Sequence, residues 1–186
     1  FKYLNLMDKI QVKQMDKNCF DKIHFGNEDK SYSLGQGYQK FISNLVEDFP
    51  HQKKEIKEYC KTIKKVCEKF PLYNLRDQTD YPISNEEVKS VDEVIDSIIT
   101  DDRLRNVLGS QNILYGGEKG ITPFYIHALI INSYIESAWR FVNGSSQVAI
   151  LLAKSIRLFG GKVLKNSEVV NATIIDKKIS TLTLED

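Results

Sequence analysis

The chain has 186 residues, 41% of them hydrophobic, with 26 basic against 25 acidic side chains and a formal charge of +1. That is enough apolar material for one sizeable core, it excludes a disordered segment, and no global field calls for nucleic acid, so no nucleic-acid partner is expected. The longest nearly apolar stretch, Phe124 to Ile135, is broken by His127, Asn132 and Ser133 and falls short of the roughly 20 residues a spanning helix needs.

In chain order, Ile10, Val12 and Met15 and then Cys19 to Phe25 predict two short strands, with a third at Tyr32 to Leu34 before Gly35 and Gly37. Phe41, Ile42, Leu45, Val46 and Phe49 recur at three and four, which predicts a helix closed by Pro50. The clearest amphipathic helix follows, its stripe being Ile56, Tyr59, Cys60, Ile63, Val66, Cys67 and Phe70, with lysines on the other faces. Leu72 to Asn85 reads as a loop or lid-like connection. Ser90 with Glu93 three residues later predicts a capping box for a helix carrying Val91, Val94, Ile95, Ile98 and Ile99, and a short helix follows at Asp102 to Leu108.

Gly116, Gly117 and Gly120 mark an irregular turn, and Pro123 opens a helix to about Ala138 that is apolar nearly all round. A brief strand is expected at Trp139 to Val142, a helix at Val148 to Phe159 stopped by Gly160 and Gly161, and strands at Lys162 to Leu164, Val169 to Ile175 and Ile179 to Leu184. Strands, then five or six helices, then strands define an α+β fold. The strands of both ends are expected to form one mixed, largely antiparallel sheet, and residues 1–186 to form a single domain.

Cys19, Cys60 and Cys67 are irregularly spaced and read as reduced core thiols in a cytoplasmic setting. The chain has no Gly-x-Gly-x-x-Gly after a strand, no phosphate loop, no metal-ligand spacing and no nucleophile elbow, so no metal is expected and no catalytic residue is singled out. It starts at Phe1 without Met and stops at Asp186 just after a strand-like alternation, which reads as a piece of a longer protein.

An ordered set of motifs does stand out: Leu114-Tyr115-Gly116-Gly117, Pro123, His127, Ser133-Tyr134-Ile135-Glu136, Trp139, Asn143-Gly144-Ser145-Ser146 and Gly160-Gly161-Lys162-Val163, preceded by Phe20-Asp21-Lys22-Ile23, Tyr38-Gln39-Lys40-Phe41 and Phe49-Pro50. In order and spacing this resembles the flavin-dependent oxidoreductases of the phytoene desaturase, carotenoid isomerase and retinol saturase class. The resemblance implies the substrate-binding region of a larger FAD enzyme acting on an apolar polyene such as a carotenoid or retinol. The flavin-binding segments of that class lie on both sides of this region, so the flavin domain would be a partner elsewhere in the same polypeptide and no FAD is expected on this piece alone, which should be inactive. The resemblance also assigns Gly144, Ser145, Val169 and Val170 to flavin contact, and it departs from the class at Asn143, where Gly is usual.

An all-round apolar helix can present one face to the core and another to an apolar ligand, which makes Tyr115, Tyr125, His127, Tyr134 and Trp139 the candidate substrate-binding residues. Each also has a plain structural role open to it, His127 as a satisfied core histidine and the aromatics as packing. The helix from Lys53 to Lys69 is a candidate peripheral membrane contact or simply a solvated face. The alternative to an oxidoreductase is a non-enzymatic helical interaction module that binds a protein or a lipid surface.

Overall fold

The computed structural model describes residues 1–76 and 88–185. Its elements, in order, are β1 (Val12–Gln14), β2 (Asp21–His24), β3 (Ser31–Leu34), α1 (Tyr38–Asp48), α2 (Lys53–Lys69), α3 (Val91–Ile98), α4 (Asp102–Gly109), α5 (Phe124–Glu136), β4 (Trp139–Phe141), α6 (Ser146–Leu158), β5 (Val169–Ile175) and β6 (Lys178–Leu184). Short 3₁₀ turns sit at Met7–Lys9, Pro50–Gln52 and Ser110–Tyr115. The class is α+β, with strands near both ends of the chain. The expected loop or lid from Leu72 to Asn85 lies mostly outside the described residues.

The chain divides into two compact units, Lys13–Arg140 and a second made of Phe1–Val12 with Phe141–Asp186. In the first, α2 packs on α5, α1 and α3, and α1 packs on β3. Ile56, Tyr59, Cys60, Ile63, Val66 and Cys67 of the α2 stripe are all buried, together with Phe124, Ala128, Ile131 and Ile135 of α5. Each large apolar side chain placed there contributes about 1.5–3 kcal/mol of burial. Burial also pushes the Cys60 and Cys67 thiols up to about 12, as fits small core groups. The capping box of α3 forms as its spacing predicts, with the Glu93 N–H donating to Ser90 Oγ at 3.2 Å and the Ser90 N–H donating to Glu93 Oε2 at 2.7 Å.

In the second unit, Leu6 and Ile10 are buried while every residue of β5 and β6 is exposed. β5 and β6 form an antiparallel hairpin whose turn holds Asp176 at φ 50° and Lys177 at φ 61°.

Three expectations change. The strands do not join in one mixed sheet; they form three two-stranded sheets, β1 with β4, β2 with β3, and β5 with β6. The last two are antiparallel pairs of strands adjacent in sequence, so each ladder closes locally and needs no distant strand. No strand forms at Lys162 to Leu164. That stretch has no ladder partner among the described residues, and Leu164 stays 66% exposed. Pro123 lies just outside α5 as its N-cap, in an extended conformation bridged to Ser90, and not at the first helical position.

Candidate functional site

α5 carries polar groups into the core of the first unit. His127 is fully buried, and burial alone holds its imidazole down to about 3, so it is neutral at physiological pH. Its two ring nitrogens meet two tyrosines: Nε2 lies 2.7 Å from the Tyr59 hydroxyl and Nδ1 lies 2.7 Å from the Tyr115 hydroxyl. Tyr115 donates its proton to Asn112 Oδ1, so its oxygen accepts from His127 Nδ1–H. That fixes the tautomer: Nε2 is the acceptor and the Tyr59 O–H donates to it. The result is one directional chain, Tyr59 to His127 to Tyr115 to Asn112. Burial raises both tyrosine hydroxyls well above their ordinary value, so both stay protonated.

The glycine pair of Leu114-Tyr115-Gly116-Gly117 builds the outer end of this chain. Gly116 caps the 3₁₀ turn in the left-handed conformation at φ 63°. Gly117 is required for space, because a Cβ there would sit 2.6 Å from Tyr115 Cε2 and 3.1 Å from Asn112 Cβ. Asn112 and Gly117 then line a polar cavity of about 690 Å³ shared with Asp92, Asp96, Asp102, Arg105 and Lys119. The chain therefore connects the buried core to a polar cavity. It can orient and rigidify α5 and hold protons in a fixed sense, but His127 itself touches no solvent.

A second polar network lies along α5. Tyr38 donates to Asn132 Oδ1, Asn132 Nδ2 donates to the Tyr73 hydroxyl at 2.9 Å, and Tyr73 lies 2.8 Å from Ser133 Oγ. Ser133 gives its own proton to Leu129 O, so Tyr73 is the donor of that pair. Asn132, Tyr73 and Ser133 border a cavity of about 590 Å³ together with Lys64, Glu68 and Glu136.

Of the candidate substrate-binding residues, the structure brings Tyr115 and His127 together. Tyr125 stacks on Phe70 at 5.4 Å and Tyr134 on Phe20 at 5.9 Å, nine positions apart and so on opposite faces of α5. Trp139 is 52% exposed, with its indole N–H donating to Ser137 Oγ at 2.6 Å. These five side chains do not line one cavity. Sequence reasoning missed Tyr59, Asn112, Tyr38 and Asn132; the buried stripe containing Tyr59 carried the one available signal, since a tyrosine hydroxyl placed on a core face needs a partner.

The residues assigned to flavin contact lie in the second unit. Gly144 sits at φ 91° with open space where a Cβ would be, and Ser145 precedes α6 with no side-chain capping bond. Val169 and Val170 are 51% and 55% exposed, and the β5–β6 register shifts between Val169 and Asn171, so the pairing skips Val170. These residues thus form an exposed turn and an irregular stretch of strand. They do not form an enclosed cradle among the described residues. The same unit holds an apolar cavity of about 530 Å³ bordered by Tyr3, Leu4, Leu152, Ile156 and Phe159.

With this geometry in place, comparison with known proteins gives a consistent result. Curated relatives named all-trans-retinol 13,14-reductase match across nearly all of the chain: 26% identity in Danio rerio over 87% of it, and 28% in both Macaca fascicularis and Homo sapiens over 88%. The chain is therefore similar to one region of the all-trans-retinol 13,14-reductases. It spans about 30% of the length of those relatives. No family model matches the chain. No helix among the described residues is long and apolar enough to cross a membrane.

Proposed function

We propose that this chain is the substrate-binding segment of a flavin-dependent oxidoreductase that acts on an apolar polyene of the retinol or carotenoid kind. The observation that carries the proposal is the match to retinol reductases across 87% of the chain. The second unit supports it, with an apolar cavity of about 530 Å³ and a hairpin whose apolar side chains are all exposed. Contiguous exposed apolar surface of this kind favours a ligand or a covering segment.

The flavin would supply hydride exchange with a conjugated carbon. This chain's own residues would shape and dry the substrate site. Gly144, Ser145, Val169 and Val170 would border the flavin from the second unit. Trp139, the one candidate aromatic with a half-exposed ring, would offer the substrate a flat apolar surface, while the His127 chain holds α5 rigid. Residues 1–186 alone would not turn over. The protein would work on the cytoplasmic side, as a membrane-peripheral enzyme drawing its substrate from lipid.

The test is product analysis with the full-length protein, FAD, a supplied reductant and all-trans-retinol or a carotenoid. The expected product carries two more hydrogens than the substrate, or two fewer when an acceptor replaces the reductant, and Trp139→Ala raises KM more than it lowers kcat. Absence of any product from both polyene classes contradicts the proposal.

A further inference from the structure

α2 and α3 bound a groove that the His127 chain does not use. Lys61, Lys65 and Lys69 lie on one stripe of α2 at spacings of four, and Lys89 joins them from the segment before α3. Its floor is apolar: Val66 of α2, Val94 and Ile98 of α3, and Phe124 at the start of α5. The cavity is about 320 Å³, at the small end of ligand sites. Among the described residues Glu58 is its only acidic lining residue, 3.8 Å from Lys61, and neither Lys65 nor Lys89 has an ion pair there. The Lys65 and Lys89 ammonium groups beside this apolar floor favour an anion, and a neutral polyene alcohol has no use for them.

We propose that this groove binds the phosphate headgroup of an anionic amphiphile, with the first carbons of its chain lying on Val66, Val94, Ile98 and Phe124. Lysines act on phosphate as movable point charges, and the apolar floor selects a headgroup that carries a chain over a free ion. The groove itself carries this proposal, independently of the polyene reading.

The experiment measures binding of octyl phosphate, of inorganic phosphate, and of phosphatidylcholine vesicles with and without about one fifth phosphatidic acid, at physiological salt. Octyl phosphate should bind at least about ten-fold more tightly than inorganic phosphate. Lys65→Gln with Lys89→Gln should weaken octyl phosphate by about thirty-fold, while Lys22→Gln with Lys40→Gln, the same charge change off the groove, should weaken it by less than about three-fold. All four lysines are exposed, so both variants should keep the native circular dichroism spectrum. Binding to phosphatidic acid vesicles as well identifies a bilayer lipid as the source; binding to octyl phosphate alone identifies a free amphiphile. The proposal is overturned if no probe binds, if inorganic phosphate binds as tightly as octyl phosphate, or if the two double variants lose affinity equally. Neither flavin nor retinol enters these measurements, so a failure here leaves the oxidoreductase reading standing.

Discussion

Lowering the pH from 8 to 5 should destabilise the chain chiefly through His127. In the native state burial holds this imidazole down to about 3, against an ordinary value of 6.5. The stability it contributes is therefore complete above the unfolded value and is lost as pH falls from there towards the folded one. At pH 5 the unfolded chain binds the proton and the folded chain does not; about 1.5 pH units at about 1.4 kcal/mol each amount to a loss of about 2 kcal/mol. Urea unfolding followed by circular dichroism reads this directly. With a slope near 2 kcal/mol per molar, the midpoint should fall by about 1 M between the two pH values. His127→Gln removes the titrating group while keeping an amide that can meet Tyr59 and Tyr115. It should be less stable at pH 8 but lose far less on going to pH 5. An equal fall in midpoint in the wild type and the variant would refute the assignment to His127.

Three further outcomes follow from single contacts. Gly117→Ala should cost about 1–3 kcal/mol, because its Cβ would meet the Tyr115 ring at 2.6 Å, and the His127 imidazole NMR signals should shift; unchanged signals would mean that Tyr115 is not held by that glycine. Ser90→Ala removes the capping box of α3 and should lower stability by about 1 kcal/mol in urea; a neutral result would show that the bonds at 2.7 and 3.2 Å contribute nothing. Gln52→Ala should cost about 1–3 kcal/mol, since buried Gln52 donates to Thr100 Oγ1 at 2.7 Å and accepts from the Thr100 N–H at 3.0 Å. Thermal melts check it, and an unchanged midpoint would count against that bridge.

Local signals were the legible ones. The spacing of Ile56, Tyr59, Cys60, Ile63, Val66 and Cys67 marks both α2 and its buried face, and Ser90 with Glu93 marks the start of α3, because periodicity and capping are decided within a few residues of chain. Strand pairing was not legible. β1 meets β4 across more than a hundred residues, and nothing in three residues of pattern specifies a partner so distant. The site was half legible: the glycines after Tyr115 and the polar residues in α5 stood out, yet the partner of His127 Nε2 lies 68 positions away. Gln36 makes the same point. Between Gly35 and Gly37 it carries no local signal, but in the fold its amide donates to Met15 O at 2.9 Å and accepts from the Ala138 N–H at 3.1 Å.

The central claim is that these residues serve a flavin enzyme that handles polyenes, and absorbance spectroscopy tests it most directly. Spectra of the purified full-length protein and of residues 1–186, each after reconstitution with FAD and removal of excess, should show flavin bands in the first and none in the second. Adding all-trans-retinol without oxygen to the reduced full-length protein should then restore the oxidised flavin band. A full-length protein that retains no flavin after reconstitution would contradict the account.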